Sequence, residues 1–151
     1  MQLLVKLIAD GTLLLILAIA APVLLFALRK SFWANMPVLV MAGLTSLLAA
    51  KVMSLLYQPS VARPFLEQGV APGAAYIDNP GFPSDHALLA TVATVAVIAM
   101  TRNRALGVAL IALVVVMGIG RTLALVHTPL DIAGGVFAGL VGAVWYRKLT
   151  K

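Results

Sequence analysis

The chain has two histidines, and each stands among residues able to do nucleophilic or anion-binding chemistry. The stretch Arg121 to Asp131 reads Arg-Thr-Leu-Ala-Leu-Val-His-Thr-Pro-Leu-Asp, which spaces Arg121, His127 and Asp131 by 6 and then 4 positions. An aspartate that accepts a hydrogen bond from one imidazole nitrogen fixes the tautomer and leaves the other nitrogen nucleophilic. Thr128 followed by Pro129 suits the cap and first position of a helix. Asp131 is therefore expected in that helix's first turn, close to His127. The plain alternative makes Asp131 a helix-dipole residue and Arg121 a side chain reaching for headgroups.

The second histidine lies in Gly81-Phe82-Pro83-Ser84-Asp85-His86, directly before the apolar run Ala87 to Met100. Proline followed by Ser and Asp reads as a helix start, whose free N–H groups and positive dipole end suit an anion. His86 would then lie in the first turn, beside any anion held there. Alternatively, Ser84 and Asp85 only cap the helix. A third element is Arg63-Pro64-Phe65, with Lys51 twelve positions earlier. Arginine offers a planar fork of donors that matches phosphate, and lysine a compact point charge.

These residues need elements to hold them, and the composition says which kind. Of 151 residues 62% are hydrophobic and 11% charged, with mean hydropathy +1.06, so a water-soluble globule is excluded. The absence of cysteine removes disulfides, thiolate nucleophiles and cysteine-held metal sites. The expectation is an all-α, polytopic membrane helix bundle forming a single domain over residues 1–151. A span takes about 17 to 20 apolar residues, and five segments qualify: Gly11 to Leu28, Trp33 to Tyr57, Ser84 to Thr101, Ala105 to Val126 and Pro129 to Tyr146. The first nine residues either lie in the interface or extend the first helix, and they are read as retained rather than as a cleaved signal. Gln58 to Pro83 forms a long connection with five prolines and three glycines, and loops of that length are usually functional or disordered.

Net charge is +6, from 11 Lys and Arg against 5 Asp and Glu. In a soluble protein this would suggest nucleic acid, but in a membrane chain it reports topology. Arg29, Lys30, Arg102, Arg104, Arg147, Lys148 and Lys151 fall on one side of a five-span chain. That side is expected to be cytoplasmic, with the amino terminus outside and the carboxyl terminus inside. Both histidine clusters, the long loop, Lys51, Arg63 and Arg121 then belong to the extracytoplasmic side of the cell membrane.

Together these residues resemble the type 2 phosphatidic acid phosphatase superfamily, with its motifs Lys-x6-Arg-Pro, Pro-Ser-Gly-His and Ser-Arg-x5-His-x3-Asp. Pro83-Ser84-Asp85-His86 matches the second with Asp in the Gly position, and Gly120-Arg121 through Asp131 matches the third with Gly in the Ser position. In the first, Lys51 stands 11 residues before Arg63 instead of 6, Leu56 occupies the strict lysine position, and six residues on from Lys51 lie Gln58-Pro59. The Phe-Pro-Ser-Asp-His form resembles the bacterial branch that dephosphorylates undecaprenyl diphosphate. The resemblance implies a phosphohistidine on His127, oriented by Asp131, with His86 as proton donor and then base. It implies phosphate held by Arg63, Ser84 and Arg121 and provisionally by Lys51, and no metal or other cofactor. The expected partners are a lipid phosphate substrate and the bilayer, with no nucleic acid. Family members commonly have six spans, so association of two chains into a homo-oligomer stays open. So do a phosphatidylglycerophosphate or phosphatidate phosphatase, a lipid phosphotransferase, and a nonenzymatic small channel or assembly protein.

Overall fold

The computed structural model describes residues 2–58 and 63–150, and their regular structure is all helical. Pro59 and Lys151, and the side chains of Lys30 and Lys148, lie outside the described residues. Hydrocarbon offers no partners to backbone N–H and C=O groups, so an apolar chain in lipid closes them internally as helix. A first rod joins α1 (Gln2–Lys6), a π-helical turn (Leu7–Gly11) and α2 (Thr12–Lys30). The amino-terminal residues thus extend the first helix. Ser31 alone separates this rod from α3 (Phe32–Leu56), and the short α4 (Pro64–Glu67) lies within the long connection. After it come α5 (Asp85–Thr101), α6 (Arg104–Leu123) and α7 (Pro129–Val141), which continues as a 3₁₀ segment (Gly142–Thr150).

Four stretches, Gln2–Arg29, Phe32–Leu56, Arg104–Leu123 and Pro129–Arg147, are long and apolar enough to cross a membrane, against the five expected. The difference is α5, whose 17 residues give about 25 Å at roughly 1.5 Å per residue. Its place is central: Ala87, Ala90, Ala93 and Val97 pack with Ile16 and Ala20 of α2 and Leu110, Val114 and Met117 of α6 in one core. Small side chains on α5 let three neighbours close on it. Many other large apolar side chains point outward, among them Leu14 and Phe26 on α2, Leu44 and Leu48 on α3, Val108 and Val115 on α6 and Phe137 on α7. A bundle with alanines within and leucines outside is built for an apolar solvent.

The turn between α5 and α6 is tight. Arg102 takes the left-handed conformation, φ 54°, with its N–H on the Ile98 carbonyl at 2.9 Å, and the Asn103 side chain caps α6. On the other side of α5, α7 approaches to backbone contact. A side chain at Gly135 would collide with the Ser84 carbonyl, and one at Gly139 would meet Thr91. Ser46 of α3 donates to the Gly139 carbonyl at 3.0 Å and accepts from the Gly142 N–H at 3.2 Å, while the Trp145 indole donates to Thr45 at 2.8 Å. Hydroxyls and glycines therefore join α3, α7 and α5.

Gly135→Ala is expected to lower the unfolding midpoint of the detergent-solubilised protein. Overpacking costs about 1–3 kcal/mol, against the gain of about 1 kcal/mol that alanine brings over glycine in a helix. Gly43→Ala, whose Cβ meets nothing within 4 Å, should keep or raise the midpoint. Equal midpoints for the two variants would contradict the contact.

Candidate active site

The start of α5 and the start of α7 lie side by side and are bonded to each other. Ser84 caps α5, its Oγ accepting from the Ala87 N–H at 3.4 Å, and its own N–H donates to the Asp131 carbonyl at 2.9 Å. Thr128 caps α7 in a capping box: Thr128 Oγ1 accepts from the Asp131 N–H at 3.2 Å, and Asp131 Oδ2 accepts from the Thr128 N–H at 2.7 Å. That box fixes the aspartate, whose Oδ2 lies 3.5 Å from His127 Nδ1. The distance is that of a loose pair, longer than a good hydrogen bond, and such contacts often tighten when substrate binds. With Nδ1 turned to the carboxylate, Nε2 is the free nitrogen.

Two arginines enter the same mouth from different elements. Arg63 stands at the start of α4, where Nη1 donates to the Val126 carbonyl at 2.6 Å and Nη2 to the Ile77 carbonyl at 2.8 Å and Asn79 Oδ1 at 2.6 Å. The guanidinium also covers the Tyr76 ring, 5.3 Å from its centroid. Gly81, at φ +94°, lies against the Arg63 side chain, whose Cζ would stand 3.6 Å from a Cβ placed there. Arg121, in the last turn of α6, donates from Nη1 to Asp10 Oδ1 at 2.8 Å and to the Ala75 carbonyl at 2.7 Å. Arg121 is 1% exposed, His127 3% and Arg63 7%. Yet Nε of both arginines and Nδ1 of His127 are buried without a hydrogen-bond partner among the described residues. Unpaired buried donors are costly, and here they gather beside two helix amino ends.

The long connection lies over this mouth. The Phe65 N–H donates to the Leu125 carbonyl and the Gly73 N–H to the Ala124 carbonyl, both at 3.0 Å. Phe65 and Ala74 bury against Ala124, Val126 and Ala9. His86, half-buried in the first turn of α5, lies in Coulomb range of Arg121, Asp10 and His127. Arg63, Ser84, His86, Arg121, His127 and Asp131 are thus brought to one place. Lys51 is not: it is exposed on α3, with no hydrogen bond or ion pair among the described residues.

Two polar residues of the cluster escape the sequence reading. Asn79 bridges Arg63 and Asp85, taking Nη2 on Oδ1 and donating to Asp85 Oδ2 at 3.3 Å. Asp10, in the π-helical turn, pairs with Arg121 across 111 positions of sequence. A signal for Asp10 exists, since a carboxylate in an apolar membrane helix needs a partner.

Residues 12–151 match the PAP2 superfamily, and the chain belongs to it. Members are phosphatases, and lipid phosphates are the substrate class this suggests. No curated protein and no solved structure matches the chain.

Burial pushes the His127 pKa below the ordinary histidine value, the contact with Asp131 opposes this, and the charges of Arg121 and Arg63 add to it. A nucleophile must be unprotonated, so activity is present above its pKa and lost as pH falls through it. In kcat/KM, the acidic limb assigned to His127 is expected below about pH 6.5. A limb above pH 7 that moves with substitution of Asp131 would contradict it.

Proposed function

We propose that the protein is a membrane lipid phosphatase that cleaves a terminal phosphate from a lipid diphosphate, with undecaprenyl diphosphate the preferred substrate. The observation that carries this reading is the gathering of two unpaired arginine Nε donors around His127 and Asp131 at two capped helix starts. Positioned cations and donors supply most of the catalysis in phosphoryl transfer.

In the first step His127 Nε2 attacks the terminal phosphorus, the bond to the bridging oxygen breaks, and the lipid monophosphate leaves with that electron pair and a proton from His86. Asp131 takes the Nδ1 proton's charge in its field as the imidazole becomes cationic. Arg63, Arg121 and the Ser84 end of α5 hold the equatorial oxygens. In the second step water gives a proton to His86 and attacks the phosphohistidine, releasing inorganic phosphate and restoring neutral His127. Lys51 has no part in these steps. No step uses a metal ion. The active site faces the extracytoplasmic side, with Arg29, Arg102, Arg104 and Arg147 at the cytoplasmic end.

A lipid substrate also fits the apolar groove of about 670 Å³ that α5, α6 and α7 leave between them. Thr122 and Pro129, which border it, are chain neighbours of Arg121 and Thr128. A headgroup at the arginines could thus keep its tail in an apolar surface. The Phe82-Pro83-Ser84-Asp85-His86 sequence is what favours the polyprenyl diphosphate over glycerolipids.

Purified wild type is expected to release phosphate from undecaprenyl diphosphate faster than from phosphatidate or phosphatidylglycerophosphate, with activity retained in chelator. His127→Ala should release none, and acid quenching should trap labelled phosphate on wild type alone. No release from any of the three lipids by wild type would overturn the reading.

A phosphate leaving group needs less protonation than an alkoxide. His86→Ala is therefore expected to lower kcat on phosphatidate by about 10²-fold or more, and on the diphosphate by less. Equal losses on both would count against His86 as the proton donor.

A further inference from the structure

The first rod carries a feature that the phosphatase steps leave unused. Its helix is interrupted by a π-helical turn at Leu7–Gly11, and this turn holds Asp10. Inserted turns of this type recur at functional sites. α6 presses directly on it, since a Cβ at Gly120 would come 2.7 Å from Ile8 Cγ2 and 2.9 Å from the Ala9 nitrogen. The close approach puts the carboxylate at the end of α6, where both of its oxygens are engaged. Oδ1 receives Arg121 Nη1 at 2.8 Å, and Oδ2 receives the Ala75 N–H at 3.0 Å. The ring closes through the Ala75 carbonyl, which accepts from the same Nη1 at 2.7 Å.

Among the described residues both of the guanidinium's hydrogen bonds leave from Nη1, while Nε is buried without a partner. A guanidinium has one edge formed by Nε and Nη2, the edge that receives an oxyanion with two parallel bonds. A clamp on Nη1 holds the plane and leaves that edge. An unclamped arginine would have to lose its rotamer freedom on binding. It would also turn away from Arg63, whose charge opposes its own.

We propose that Asp10 is a positioning residue for phosphate binding, fixing Arg121 through Nη1 so that its Nε and Nη2 edge meets the anion. This rests on the phosphatase reading for the identity of the anion, but it concerns binding and can be tested without turnover. Asp10 does not touch phosphate. Its effect passes through Arg121, so its loss weakens the grip on phosphate without removing the nucleophile.

The test measures binding of inorganic phosphate by isothermal calorimetry, and KM and kcat on a lipid phosphate, with wild type, Asp10→Asn, Asp10→Glu, Arg121→Ala and the Asp10→Asn/Arg121→Ala pair. The unfolding midpoint of each variant in detergent is recorded as well. Asp10→Asn is expected to weaken phosphate binding and raise KM by about tenfold, the scale of one charge-assisted hydrogen bond. The phosphohistidine should still form at saturating substrate, and Asp10→Glu should restore part of the affinity. The double variant should bind no more weakly than Arg121→Ala, because both substitutions remove the same contact. Unchanged phosphate binding in Asp10→Asn overturns the proposal. Tighter binding overturns it too, by making the carboxylate a competitor for Arg121, and so do additive losses in the pair. Should Asp10→Asn fail to fold, Asp10→Glu and the single and paired effects of Arg121→Lys carry the comparison. Wild type that binds phosphate yet releases none from any lipid defeats the enzyme reading and leaves the clamp standing.

Discussion

The hydrogen bond from the Ser84 N–H to the Asp131 carbonyl, 2.9 Å long, joins the two helix starts on which the site is built. It requires backbone to touch backbone, and Gly135 permits this because any side chain there would meet the Ser84 carbonyl. Once α5 and α7 are held in that register, their caps face one mouth. Thr128 and Asp131 satisfy each other in a capping box, and His127, one residue before the cap, is brought to the carboxylate. Helix capping and histidine orientation thus draw on the same aspartate oxygen. Its bond to the Thr128 N–H at 2.7 Å holds the side chain in place, and the looser 3.5 Å contact with Nδ1 leaves the imidazole room to move.

Around that frame the cost is electrostatic. Two arginines are buried within reach of each other and of two histidines. A buried cation is tolerable only with acceptors at hand. Arg63 has three, two backbone carbonyls and Asn79, and rests on Tyr76. Arg121 has the only carboxylate within an ion-pair distance of it among the described residues. These contacts are enough to hold the guanidinium planes and too few to use every donor. The remainder, which includes both Nε groups, is a positive, donor-rich lining that complements an oxyanion. A preorganised lining of this kind is worth more than the same charges in water, because nothing need reorient as charge develops.

Much of this frame is legible in the sequence because it is local. Pro83-Ser84 and Thr128-Pro129 announce helix starts through cap chemistry, and both caps form as the residue types predict. Asp131 falls near His127 because one helical turn separates them. The apolar runs give the helices, although α5 is too short for the length test that the other four pass. Its ends are set by the Ser84 cap and the left-handed Arg102, and its burial among neighbours is what a hydropathy count does not see. Non-local partners are illegible for the same reason. Nothing near Asp10 points to Arg121, and Asn79 gains its role only when the long connection folds back over α6. The spacing between Lys51 and Arg63 is atypical, and the structure leaves Lys51 exposed on α3.

The arginines divide along the bundle by burial. The first rod runs from Asp10 at the mouth to Arg29, α5 from its cap Ser84 to its cap Arg102, and α7 from Asp131 toward Arg147, so Arg29, Arg102 and Arg147 collect at the end remote from the histidines. Arg104 joins them at the start of α6. These four are exposed, and an exposed arginine at a membrane face can take its counter-charge from headgroups and water. That makes it a reporter of orientation. Arg63 and Arg121 have no such recourse, being 7% and 1% exposed. Their partners must come from the protein or from a bound anion. The same side chain therefore carries topological information at one end and chemical information at the other. Sequence position suggests which is which, but it is the loss of solvent around Arg63 and Arg121 that turns positive charge into a demand for a ligand.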